Sequence, residues 1–98
     1  VDSVGCTGNV VLMSENQIYV ANAGDSRSAL SRNGKIIELS KDHKPDEPEE
    51  EKRITAAGAK IEKGRINGHL NLSRCLGDYH YKRNENFQWD QQILSARP

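Results

Sequence analysis

The sequence predicts an α+β domain built on antiparallel strands, and three observations carry that reading. Short runs of apolar and β-branched residues fill positions 9–39, an Asn-Gly pair joins two of these runs, and one acidic helical pattern follows at 46–58. Strands grouped first and a helix afterwards, without regular strand–helix alternation, mark the α+β class.

Asn9-Val10-Val11-Leu12-Met13 is the first strand run, and Ile18-Tyr19-Val20-Ala21 the second. Four polar residues separate them, a hairpin spacing. The third and fourth runs, 28–32 and 35–39, flank Asn33-Gly34. Asn-Gly is the strongest short hairpin signal because both turn residues need positive φ. Residues 9–39 therefore predict a four-stranded meander. Between its second and third strands lies Asn22-Ala23-Gly24-Asp25-Ser26-Arg27. Glycine lets the backbone turn there and leaves Asp25 at a strand end, where loops commonly carry function.

The helix at 46–58 opens with Asp46 as its expected cap and Glu49 in capping-box position. Pro48 falls in the first turn, where its missing N–H is harmless. Glu47, Glu49, Glu50 and Glu51 face the positive end of the macrodipole, which explains the acidic cluster locally. Ile54, Ala56 and Ala57 form a narrow apolar stripe, and Gly58 is a suitable terminator. Beyond it, 59–62 predicts a short strand turning through Lys63-Gly64 into 65–68. Residues 70–72 alternate, and 73–78 read as a turn or a single helical turn. The tail from Tyr79 to Pro98 is polar, with Phe87 and Trp89 as its expected anchors.

Bulk properties narrow the function classes. Ninety-eight residues make one small domain or part of a larger one, able to bury only roughly 60–65% of its unfolded surface. Hydrophobic residues are 35% of the chain and mean hydropathy is −0.80, against a usual apolar share of ~45–50% with glycine included. We read an ordered piece that leans on neighbours outside these 98 residues. Fourteen basic residues balance 14 acidic ones and aromatics are 5%, which gives neither the basic stripe nor the stacking platform of a nucleic-acid binder. No apolar run reaches the ~18–20 residues of a membrane span. No G-x-x-x-x-G-K-S/T loop points to a nucleotide. Cys6 and Cys75 form no C-x-x-C and read as two reduced, buried thiols of an intracellular, cytoplasmic or nuclear protein. His43, His69 and His80 lack zinc-site spacing.

Three constellations could carry chemistry, each with a structural rival. Asp25 beside Gly24 could ligate a hard cation such as Mg2+ or Mn2+, or else make an Asx turn or pair with Arg27. Asp42-His43-Lys44-Pro45 favours a structural, hydrogen-bonded histidine over a general base, because neighbours in extended chain point to opposite sides. Arg74, after Ser73, could clamp a phosphate or pair with Asp78. Ser73 is a poor candidate nucleophile, with no general base at an obvious partner position.

The order of these blocks resembles the protein phosphatase 2C (PP2C, or PPM) family of metal-dependent protein serine/threonine phosphatases. Gly5-Cys6-Thr7, Asn22-Ala23-Gly24-Asp25-Ser26-Arg27 and Asp42-His43-Lys44-Pro45 come in family order. Glu51 with Arg53-Ile54, Ala57-Gly58-Ala59, Arg65-Ile66-Asn67-Gly68 and Leu72-Ser73-Arg74-Cys75-Leu76-Gly77-Asp78 follow in register. Two departures stand out: Gly8-Asn9 replaces a pair more suited to a core strand entry, and His69 occupies a position usually small. Both bear on packing more than on chemistry.

The resemblance implies a sandwich of two antiparallel sheets flanked by helices, incomplete in this chain, with residues 1–98 as the central segment of one phosphatase domain. It implies two Mn2+ or Mg2+ ions that bridge a water and direct it at the phosphorus of phosphoserine or phosphothreonine. By the same resemblance Asp25 matches an aspartate at an additional, weaker metal site, about 46–80 contains a substrate-selecting flap, and Arg74 is a candidate phosphate or substrate contact. The family's principal ligands lie in Glu-Asp, Asp-Gly-His-Gly, Asp-Gly and Asp-Asn stretches, none of which occurs here. The expectation is an internal piece, inactive alone, of a monomeric enzyme acting on phosphorylated proteins, without nucleic acid or membrane. The alternative is a non-catalytic phosphoprotein-binding or regulatory pseudophosphatase module.

Overall fold

A computed structural model describes all 98 residues, Val1 to Pro98. Eight strands and one helix follow the chain: β1 (Gly5–Cys6), β2 (Gly8–Met13), β3 (Ile18–Ala23), β4 (Ala29–Arg32), β5 (Lys35–Glu38), α1 (Pro48–Ala56), β6 (Ile61–Glu62), β7 (Arg65–Ile66) and β8 (Leu76–Gly77). A single 3-10 turn, Tyr79–Tyr81, follows β8.

All four strands expected over 9–39 form, but they do not make one meander. β2 pairs only with β3, and β4 only with β5. The reason lies in the connection between the hairpins. Asn9 Nδ2 donates to Asn22 Oδ1 and to the Ser26 carbonyl, and Ser28 Oγ donates to Asn9 Oδ1. The 24–28 segment after β3 is thus held as a loop folded back on β2, so β4 starts off the edge of β3. Asn9, which weakens strand preference, supplies that hold. The Asn33-Gly34 turn has φ of 52° and 74° and sets Arg32 opposite Lys35, the geometry of a type I′ hairpin. Lys63-Gly64 repeats it between β6 and β7, with φ of 52° and 72°.

Helix α1 starts later than Asp46. Glu47 takes the cap position with extended backbone (ψ 136°), and no side chain caps the helix. Pro48 decides this, because its ring pushes the preceding residue out of the helical region. The expected capping box therefore does not form. The C-terminus ends as the sequence predicts: Gly58 has φ of +92°, its N–H donates to the Thr55 carbonyl, and the Ala59 N–H donates to the Ile54 carbonyl. That is the Schellman arrangement.

The core sits in the second half. Ile54, Ala59, Ile66, Cys75 and Leu94 form one buried cluster, with Ile61, Leu70, Leu72, Tyr81 and Ile93 against it. Full burial of a side chain such as Ile54 contributes about 1.5–3 kcal/mol. The tail is anchored by Leu94, Ser95 and Gln92, all buried, while Trp89 is 64% exposed. Gln92 explains the fold of the tail: its amide donates to the Asn84 and Phe87 carbonyls and accepts from the Asn84 N–H. The stretch 73–78 is neither a simple turn nor a helical turn. Arg74 bridges to Ser95, and Leu76–Gly77 pairs antiparallel with Gly5–Cys6. Cys6 on that pair is exposed and only Cys75 is buried, so the expectation of two buried thiols holds for one of them.

The β2–β3 ribbon stands apart from this core. Its Val10, Leu12 and Tyr19 lie on one face and Val11, Met13 and Ile18 on the other, and all six are exposed. The chain is elongated, 46 × 25 × 23 Å, with a radius of gyration of 14.9 Å, where a compact domain of this length has about 13 Å. No helix is long and apolar enough to cross a membrane.

Candidate functional site

Three sequence blocks that lie far apart along the chain meet around Gly24. The backbone N–H of Gly24 donates to His43 Nδ1 at 3.1 Å, and the His43 N–H donates to the Gly24 carbonyl at 2.9 Å. His43 is therefore the structural histidine expected from its neighbours. Burial lowers its pKa first of all, and the charges of Arg74 and Arg53 add to that, against Glu50. Only glycine fits at position 24. Its φ is +121°, and a Cβ there would lie 2.5 Å from Thr7 Cγ2 and 3.0 Å from the Arg74 carbonyl oxygen.

Asp25 follows this turn, with its side chain 24% exposed. It does not pair with Arg27. Lys44 Nζ lies 2.6 Å from Asp25 Oδ2, and Arg27 instead makes a two-pronged bond with Asp42, Nε to Oδ1 and Nη2 to Oδ2, both 2.9 Å. The alternation of the 42–44 segment explains the exchange. It sends Asp42 and Lys44 to the loop's two charged residues while His43 turns in to Gly24. The hydrogen bonds between Arg27 and Asp42 raise the pKa of Arg27 and lower that of Asp42.

Arg74 does not pair with Asp78. Its Nη2 lies 2.6 Å from Glu50 Oε1, its Nε 3.1 Å from both Glu50 oxygens, and its Nη1 3.1 Å from the Arg97 carbonyl. Three of the five N–H donors are thus used and two remain. Glu50 is the residue that the sequence reading missed. It is 3% exposed and also accepts from Arg53 Nη1 at 3.0 Å and from Ser73 Oγ at 2.5 Å. Burial pushes its carboxyl up, but hydrogen bonds from Arg74 and Ser73 and the charges of both arginines outweigh it and hold the pKa at about 2. Burying a carboxylate is tolerable only when it is paired and bonded in this way. Glu51, which the resemblance singled out with Arg53, is exposed. The helical signal that could have found Glu50 is its i, i+3 spacing to Arg53 and i, i+4 spacing to Ile54, which put it on the inward face. Ser73 is fully buried and donates to Glu50, which suits no nucleophile.

The donors present do not by themselves fit a resident metal ion. No three His, Cys, Asp or Glu side chains converge, and one Asp25 oxygen is already satisfied by an ammonium group. Hard divalent ions need several oxygen ligands.

The family profile for protein phosphatase 2C matches residues 1–98. The chain belongs to the protein phosphatase 2C family. It is 54% identical over 94 residues to probable protein phosphatase 2C 6 of Paramecium tetraurelia, covering 96% of this chain and 32% of that protein. It is 51% identical to protein phosphatase ppm-1.G of Caenorhabditis elegans, again over 96% of this chain and 19% of that one. Among solved structures, a phosphatase from a pathogenic strain of Toxoplasma gondii superposes with a TM-score of 0.79 at 40% identity, over 83% of this chain and 26% of its own. This PP2C chain thus spans about a third, or less, of the curated relatives it matches. Its paired antiparallel strands and single helix agree with part of the α+β PP2C fold.

Proposed function

We propose that these 98 residues are the central segment of one PP2C domain whose complete form removes phosphate from phosphoserine and phosphothreonine in other proteins. The observation that supports this reading most is the family match along the whole of 1–98. The meeting of the Gly24–Asp25, Asp42–Lys44 and Ser73–Arg74 blocks around one loop agrees with it. Bound Mg2+ or Mn2+ would supply the complete domain with an acidified water and a clamp on phosphoryl oxygens, with ligands from outside these 98 residues beside Asp25.

In this reading Asp25 is the chain's one metal donor, at a further, weaker site beside the principal pair. Residues of about 46–80 contain the flap that borders the substrate, and the two unspent Arg74 donors face phosphate or the substrate chain. We place the protein in a reducing compartment, cytoplasm or nucleus, as a monomer acting on phosphoproteins. The two free cysteines are in keeping with that.

The test is phosphate release from a phosphothreonine peptide by the full-length protein with Mn2+. Release that EDTA stops, and that Asp25→Asn weakens, supports the reading. Peptide binding without release would make the domain a non-catalytic phosphoprotein module. The 98 residues alone are expected to leave p-nitrophenyl phosphate intact, and turnover above the blank overturns that part.

A further inference from the structure

We infer that Glu50 is a positioning residue for the Gly24–Asp25 loop, acting through Ser73, Arg74 and His43 and not by touching substrate. The inference deepens the phosphatase reading and rests on it for its kinetic consequence, but not for its structural one.

The chain of contacts is short. Ser73 Oγ and the Arg74 guanidinium both donate to the Glu50 carboxylate. Arg53, held by the same carboxylate, donates from Nη2 to the Ser73 carbonyl at 2.6 Å and from Nε to the Gln92 carbonyl at 3.1 Å. The 73–74 backbone is thereby gripped at side chain and main chain together. It then passes its position on: the Ser73 N–H donates to the His43 carbonyl at 3.1 Å, and His43 exchanges two bonds with Gly24. The Arg74 carbonyl lies against Gly24 directly. Asp25 is the next residue along the chain.

A network serving stability alone has little reason to take this form. Buried ion pairs are weak contributors compared with apolar side chains of similar size, and their attested use is to fix one arrangement among several. Here one carboxylate fixes two side chains of the 73–74 segment, Ser73 and Arg74, and one of its own helix, Arg53, each in a stated direction. The segments it joins carry no other side-chain ion pair to each other.

The experiment compares Glu50→Gln with the wild type in the full-length protein. Amide hydrogen exchange at Gly24 and His43, whose N–H groups make the two bonds of the loop, is expected to speed up at least about tenfold, with exchange in the Val10–Met13 part of the β2–β3 ribbon unchanged. With p-nitrophenyl phosphate and Mn2+, kcat per folded molecule is expected to fall about tenfold or more while KM stays within about twofold. Ile54→Val, a plain stability control, is expected to lower Tm without either effect. If Glu50→Gln lowers Tm but leaves loop exchange and kcat as Ile54→Val does, the inference is overturned. If the wild type proves inactive, the phosphatase reading fails, and loop exchange alone decides the role of Glu50. Should Glu50→Gln not fold, Arg74→Lys, which keeps the charge and loses the fork, is judged by loop exchange alone, because Arg74 itself faces phosphate in the reading above: faster exchange upholds the inference and unchanged exchange overturns it.

Discussion

His43 and Gly24 hold each other through two hydrogen bonds, one into the imidazole Nδ1 and one between their backbones. Nδ1 accepts only while it carries no proton. Burial sets the folded pKa below the ordinary 6.5, so the unfolded chain takes up the proton more readily than the folded one. Stability is then complete above about pH 6.5 and is lost as pH falls through the lower, folded value. Urea midpoints measured between about pH 7.5 and about pH 5.5 should decline, and His43→Asn should flatten that slope. An equal slope in both proteins would contradict the bond.

Glu50 gives a second, more acidic window. Its pKa is depressed from 4.5 to about 2, so its contribution is present above about pH 4.5 and disappears as pH falls toward 2. Glu50→Ala leaves Arg53 and Arg74 buried without their partner and should cost about 3–5 kcal/mol in chemical denaturation. A loss under about 1 kcal/mol would mean that the arginines find water or other acceptors.

Gly24 and Gly34 separate two costs. Both have positive φ, but a Cβ at Gly34 meets nothing within 4 Å, while at Gly24 it meets Thr7 and the Arg74 carbonyl. Gly34→Ala should cost about 1–2 kcal/mol from the backbone alone, and Gly24→Ala clearly more. Equal losses in thermal unfolding would refute the close approach at Gly24.

The thiols should react unequally. Cys6 is exposed, whereas Cys75 is buried and its pKa is pushed up to about 11, chiefly by that burial. Because the thiolate is the nucleophile, iodoacetamide near pH 8 should label Cys6 alone, as read by peptide mass spectrometry. Labelling of Cys75 should wait for denaturant.

In the tail, Leu94→Ala should destabilise by about 2–5 kcal/mol, since the side chain is fully buried in the core. Trp89→Ala should stay within about 0.5 kcal/mol, as for an exposed position. The reverse order would restore Trp89 as the anchor.

The local elements were legible because their signals are local. Asn33-Gly34, Lys63-Gly64 and Gly58 each need a positive φ that few other residues tolerate, and each sits where its turn or helix end was expected. The separation of the two hairpins was not legible, because it depends on Asn9 reaching residues 22–28 across the sheet. The site shows the same division. Asp42, His43 and Lys44 stood out as a cluster, and the structural role of His43 followed from their alternation. The partners of Asp25 and Arg74 lie 19 and 24 residues away, and one charged residue looks much like the next at that range. Glu50 was hidden among four neighbouring carboxylates whose attraction to a helix start is sufficient reason for three of them. The expectation of an anchor failed at Trp89, whose size does not bring burial, while Phe87 is half-buried and a glutamine amide organises the segment.

The β2–β3 ribbon has a consequence for handling this chain. Each strand has one edge with unused N–H and C=O groups, and the ribbon carries wet aliphatic side chains on both surfaces. Such an edge recruits further strands from whatever chain is nearest. At high concentration these 98 residues by themselves will therefore be adhesive, with aggregation starting at Val10–Met13 while the Ile54–Leu94 half stays folded.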